Sequence, residues 1–166
     1  MLCSGMVYSV LSLYWAEMGL SRTQIGLLYM AGSAMGVFFA PWLGGLSDKL
    51  GRRRILLFCM VGFAAVFILF SLVRGFSQAL PVYVLEGASW VAMGATVPAL
   101  IADITPPEKR GWAMGIYQRT WSLGWMAGPP LGGFLSDLIG FRLTFILGAA
   151  LIAIGAIYFG LKPQVK

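Results

Sequence analysis

Read along the chain, apolar residues gather into six long runs separated by short polar gaps. The runs cover about 1–18, 23–46, 55–73, 79–102, 112–135 and 142–161. A helix rises 1.5 Å per residue, so spanning the hydrocarbon layer of a bilayer takes about 20 residues. Runs two to six reach that length. The first is marginal, as though the start of a first helix were missing. The gaps hold most of the charge: Glu17 to Arg22, Asp48 to Arg54, Arg74 to Gln78, Asp103 to Arg110, and Asp137 to Arg142. The pattern predicts an all-α integral membrane domain of six transmembrane helices. It leaves no linker for a second domain and no low-complexity segment.

Composition narrows the function classes. Apolar residues make up 59% of the 166 and charged residues 11%, against about 25% charged in soluble domains. A soluble chain this short leaves too much surface exposed to hide so much apolar area. The net charge of +6 does not mark nucleic-acid binding, because the cations form no basic face and sit only in the gaps. There is no histidine, which excludes a His-ligated metal, a Ser-His-Asp triad and a Cys-His pair within this chain. Cys3 and Cys59 lie in apolar runs far apart and read as small buried residues, not as a disulfide. No cofactor is implied. The first run has no basic leader and no clear small-x-small site, so no cleavable signal peptide is evident.

Lysine and arginine set the expected orientation. Lys49, Arg52, Arg53 and Arg54 lie in one gap, Lys109 and Arg110 in the next on that side, and Lys162 and Lys166 follow the last run. The opposite side carries Arg22, Arg74 and Arg142, one per gap. The 48–54 and 103–111 loops and both termini are therefore expected to be cytoplasmic, in a plasma (inner) membrane.

An internal repeat follows. The stretch from Pro41 to Arg53 lies over Pro130 to Arg142 without gaps. It matches Pro41 with Pro130, Gly44 with Gly133, Leu46 with Leu135, Ser47 with Ser136, Asp48 with Asp137, Gly51 with Gly140 and Arg53 with Arg142. The copies join runs two and three and runs five and six. Three runs separate them, so they face opposite sides, as two inverted three-helix repeats require.

The gap Gly44-x-x-x-Asp48-Lys49-x-Gly51-Arg52-Arg53 carries more than topology. Gly51 permits a tight turn at positive φ, and an acid at a helix end stands beside four cations. These residues resemble motif A, the loop 2–3 signature of the major facilitator superfamily. The resemblance implies that Asp48 and Arg52 latch one transport state. Asp103 is similar to the family's acidic partner at the end of helix 4, and Pro106 to Gly111 resembles its loop 4–5.

In the fifth run Gly115, Gly124, Gly128, Pro129, Gly132 and Gly133 are spaced as G-x8-G-x3-GP-x2-GG. Small residues four apart let helices approach closely, and prolines kink them. The spacing is also similar to the antiporter motif, motif C, of proton-coupled exporters in that family, where it shapes a bend between the two halves. That likeness favours efflux. Two departures bear on coupling. Exporters of the family carry Arg-x-x-x-Gly in helix 4, whereas here Tyr83 stands four before Gly87, and the usual proline pattern of helix 1 is missing.

Two charges fall inside runs, where each costs about 2.5 kcal/mol or more at the bilayer centre and so faces a cavity or partner. Glu86 is a candidate for proton or cation coupling; wetting near the interface or pairing with Arg74 is the other reading. Arg119 either snorkels to the interface or lines the cavity. Glu17 reads as an interfacial charge. Tyr117, Trp121 and Trp125 recur on one face of run five near Arg119 and are candidates to line a lipophilic cavity; the other aromatics suit interfacial belts or packing.

The resemblance implies half of a twelve-helix fold, with lipid, a small-molecule substrate, protons and a second six-helix half as partners. The function it implies is proton-coupled efflux of a small lipophilic or amphiphilic solute by alternating access. An importer or facilitator of a metabolite such as a sugar or organic acid, and a non-transporting membrane interaction protein, stand as alternatives. No enzyme constellation is present in any run. The short first run and the ending at Lys166 are expected of a fragment; a natural half-transporter is the other reading.

Overall fold

The computed structural model describes residues 1–161; Lys162 and Lys166, part of the orientation argument, lie outside the described residues. Six helices follow one another: α1 Leu2–Glu17, α2 Arg22–Leu50, α3 Arg52–Leu72, α4 Phe76–Ile104, α5 Arg110–Ile139 and α6 Phe141–Leu161, with a short 3-10 turn at Pro107–Lys109. No strand occurs among the described residues.

The helices run longer than the apolar runs, which corrects the picture of charged loops. Asp48 and Lys49 lie in the last turn of α2, Asp103 in the last turn of α4, and Asp137 in the last turn of α5. Only Gly51 separates α2 from α3, and only Gly140 separates α5 from α6. Each adopts a left-handed φ, 91° and 81°, that a side chain would resist. Each also donates its N–H to a serine carbonyl four residues back, Ser47 at 3.2 Å and Ser136 at 3.0 Å. One glycine thus both closes a helix and starts the next. At the start of α2, Ser21 and Gln24 form a reciprocal capping box.

Four helices, α2, α3, α4 and α6, are long and apolar enough to cross a membrane. α1 has 16 residues and is too short. α5 has 30, but glycine, proline, serine and Arg119 dilute its apolarity. Run five thus has the expected length but is less apolar than the other four.

Helices adjacent in sequence are not the main partners in space. α2 packs along α4, α5 along α1, and α3 against both α4 and α6. Glycine sets the two closest crossings. A Cβ on Gly87 would overlap the Gly32 carbonyl oxygen, and one on Gly132 would overlap the Met6 carbonyl oxygen. One on Gly128 would stand 2.8 Å from Gly5 Cα. Main chains meet directly there, which is how helices associate when lipid removes the hydrophobic drive between them.

Aromatic residues fill the core at the end where α1 finishes and α4 begins. Trp15 is fully buried and donates its indole N–H to the Tyr83 hydroxyl at 2.9 Å. Tyr14 packs edge-on against Phe145, with centroids 5.1 Å apart. A smaller cluster of Ile55, Cys59, Phe63, Ala92 and Met93 fills the opposite half. Cys3 and Cys59 are free thiols. Many large apolar side chains remain outside, among them Val37, Phe38, Trp42, Phe58, Phe134 and Leu161. The chain is an integral membrane protein, and lipid or further protein suits that surface as water does not.

Neighbouring glycines give a direct test of these crossings. Gly132→Val is expected to unfold the bundle or cost about 3 kcal/mol through overpacking. Gly133→Ala has open space around it and is expected to hold or raise stability by up to about 1 kcal/mol through helix propensity. Thermal unfolding of the two purified variants, followed by circular dichroism, checks the contrast.

Candidate functional site

One charge cluster gathers three helix ends. Arg52, the first residue of α3, places Nη1 3.3 Å from Asp48 Oδ1. Its Nε donates to Asp103 Oδ2 at the end of α4. The helix termini explain why this pairing matters. Asp48 and Asp103 sit at the negative ends of their helix dipoles, and Arg52 sits at a positive one. Each location disfavours the charge by roughly 0.3–1 kcal/mol. The three residues are misplaced singly and compensated together. Arg53 points elsewhere: it donates to the Phe159 carbonyl at 2.7 Å and lies over the Phe159 ring. It thereby satisfies a carbonyl in the last turn of α6. Lys49 is exposed and has no ion pair among the described residues. Gly44 passes α4 at Ala95.

The second copy of the repeat has the same glycine corner but no such cluster. Both ion pairs among the described residues involve Arg52; Asp137 and Arg142 are exposed.

Glu86 lies inside the bundle. It is about 10 residues into α4, or roughly 15 Å along the axis, and only 8% exposed. The suggested pairing with Arg74 does not form: Arg74 is exposed beyond the end of α3, whereas the Glu86 carboxylate interacts with the Tyr8 and Trp90 side chains. Gly32 makes room for it, since a Cβ there would stand 2.9 Å from Glu86 Oε2. Trp90 also donates to the Tyr8 hydroxyl at 3.2 Å. A buried carboxyl group thus sits among aromatics with polar tips, with no cation paired to it among the described residues.

From Glu86 an aromatic row crosses three helices. Tyr8 of α1 meets Trp90 of α4 with centroids 5.9 Å apart, Trp90 meets Trp121 of α5 at 5.6 Å, and Trp121 meets Tyr117 at 6.1 Å. Trp125 is at the margin of exposure and has no ring contact within this row. Arg119 is exposed, as is Glu17 at the end of α1.

The fifth-helix motif divides. Gly124, Gly128 and Gly132 are buried against Met1 and against Leu2, Gly5 and Met6 of α1, and Pro129 is half-buried beside Gly5. Gly115 and Gly133 face open space.

Sequence reasoning missed three residues here. Tyr8 was hidden in an apolar run, and only the packing of α1 within the bundle brings it to Trp90 and Glu86. Ser47 and Thr96, both buried, share a 3.0 Å hydrogen bond between α2 and α4. Tyr83, noted as a departure from an arginine, is a core residue bound to Trp15.

Comparison with known proteins gives a consistent picture. The sequence model of the Major Facilitator Superfamily matches residues 1–166. Quinolone resistance protein NorA of Staphylococcus aureus is 30% identical over 147 residues, covering 89% of this chain and 38% of that protein. Multidrug resistance protein MdtG of Proteus mirabilis is 34% identical over 158 residues, covering 90% of this chain and 38% of that protein. The chain therefore spans well under half the length of these relatives.

Because the Arg52 cluster is open to solvent, its worth to stability is small. Arg52→Gln is expected to change the unfolding free energy by less than about 1 kcal/mol, and the difference should shrink as salt is raised. Chemical denaturation at low and high salt measures it; a large loss that persists at high salt would contradict the assignment.

Proposed function

The chain belongs to the Major Facilitator Superfamily, and we propose that it forms one six-helix half of a secondary transporter that exports a small amphiphilic solute in exchange for protons. The observation that carries this reading is the Arg52 cluster. It joins the ends of α2, α3 and α4 through charges that cost little to separate in water. A contact of that kind suits a latch that must open and close in each transport cycle. Asp48, Arg52 and Asp103 would hold one state, with Gly44, Lys49, Gly51 and Arg53 shaping the corner.

Several observations support the arrangement as two inverted triplets. α3 and α6 have 21 residues each, and α2 and α5 have 29 and 30. Exchanging α1 with α4, α2 with α5 and α3 with α6 maps the packed pairs onto one another. In the register of the repeat, Arg52 falls on Phe141 and Asp103 on Tyr14. Those two rings lie 5.6 Å apart. The same two positions thus meet at both ends, by an ion pair at one and by aromatic packing at the other. The excess of cations at the Arg52 end supports placing that end, and both termini, in the cytoplasm of a cell with this protein in its plasma membrane.

A second six-helix half, on the same polypeptide or another copy, would pack against this one and complete the substrate path. Glu86 would carry the coupling proton, Arg119 would line the path or anchor at its edge, and Gly115 to Gly133 would shape the junction of the halves. The quinolone resistance and multidrug resistance for which the relatives are named support export of amphiphiles.

Transport by the whole gene product in everted membrane vesicles tests the proposal. An imposed pH gradient should drive uptake of a fluorescent amphiphile. Glu86→Gln should abolish the gradient-driven part while the variant inserts and folds normally. Arg52→Gln should slow turnover without a matching loss of stability. Unchanged coupling in the Glu86 variant would remove that residue from the proposal, and no flux under any gradient would sink export itself.

A further inference from the structure

A groove opens where α2 and α3 diverge from the Gly51 corner. Although consecutive, these helices touch little. α4 forms the floor with the small residues Ala88, Ser89 and Ala92, and Leu46, Leu50 and Phe58 form much of the walls. The groove measures about 260 Å³. Leu50 and Phe58 at its rim stay well exposed, so it opens sideways, in the direction lipid would occupy.

The charges at its mouth differ in availability. Arg52 is engaged by two carboxylates and Arg53 by the Phe159 carbonyl. Lys49 and Arg54 are exposed and make no ion pair among the described residues. Lys49 is next to Leu50 on α2; Arg54 is one turn from Phe58 on α3 and shares its face. Two available cations therefore stand on the ends of α2 and α3 whose residues Leu50 and Phe58 line the apolar cleft. A cleft alone would take any apolar chain, and cations alone any anion. An amphiphile with an anionic head matches both, and basic pockets between helices at a membrane surface are where such heads bind.

We propose that this groove is a binding site for one anionic phospholipid, its phosphate held by Lys49 and Arg54 and part of one acyl chain laid on Ala88, Ser89 and Ala92. Bound there, the lipid wedges α2 from α3 beside the Arg52 cluster and links the leaflet to the corner. The site stands whether or not the protein exports a solute. A second groove at the opposite end, about 510 Å³ and lined by Leu69, Leu72, Val73, Gln78, Pro81, Val82 and Leu85, has Arg74 as the cation next to it in sequence and serves as a control.

Native mass spectrometry of the intact protein, exchanged into detergent with equal amounts of phosphatidylglycerol and phosphatidylcholine of the same chains, tests the assignment. One phosphatidylglycerol should be retained in preference to phosphatidylcholine. The double change Lys49→Gln with Arg54→Gln should lower that retention about thirty-fold, and Arg74→Gln should leave it unchanged. Ala88→Leu, which fills the floor, should reduce retention of both lipids; circular dichroism confirms that each variant remains helical. Equal retention of the two lipids, the same loss with Arg74→Gln, or release of the lipid by glycerol phosphate alone would each overturn the proposal.

Discussion

Where α5 crosses α1 and α4 crosses α2, glycine lets main chains meet with no side chain between them, and the rest of the bundle takes its position from these two crossings. Lipid supplies no hydrophobic drive between helices, so close dispersion contact must hold them. The crossing of α4 over α2 seats Glu86 against Gly32. The crossing of α1 over α5 brings Tyr8 to Trp90 and, through it, to Trp121. A side chain at Gly87 or Gly132 would separate the helices and disperse the polar groups they bring together.

The charged corner follows a different logic. Helix dipoles disfavour acids at C-termini and bases at N-termini, yet Asp48, Asp103 and Arg52 occupy those places. Their mutual attraction offsets the unfavourable local terms only while the three helix ends stay together. Separation exposes each to water and screening, so the balance is close in both directions. Arg53 works in the opposite sense. A cation at the last carbonyls of α6 is favoured by that helix's dipole, so this contact gains from the helix end where the Arg52 cluster must offset it.

Glu86 occupies a third environment. Burial penalises its charge, and its partners are neutral aromatics with polar tips in place of a cation. Tyr83, one turn earlier on α4, turns its hydroxyl to Trp15 and closes the core above it. This part of α4 therefore holds one ionisable group among groups that do not change charge.

Much of this was legible in the chain itself. Apolar runs of span length require helices, because unpaired backbone groups cannot be left in lipid. The Pro41–Arg53 and Pro130–Arg142 stretches likewise point to repeated corners, and Gly51 and Gly140 share one geometry. The exact ends of helices were not legible. Hydropathy stops at the first charge, whereas a helix continues until its hydrogen bonding is capped, so Asp48, Asp103 and Asp137 belong to helices and not to loops. Nor could pairing across the bundle be read. Tyr8 with Glu86, Arg53 with Phe159 and Ser47 with Thr96 join residues on different helices, and local periodicity contains no term for which face meets which neighbour. The chain determined what must lie in the membrane and where it must turn. The tertiary structure decided which side chains meet, because only packing between helices sets their rotation and depth.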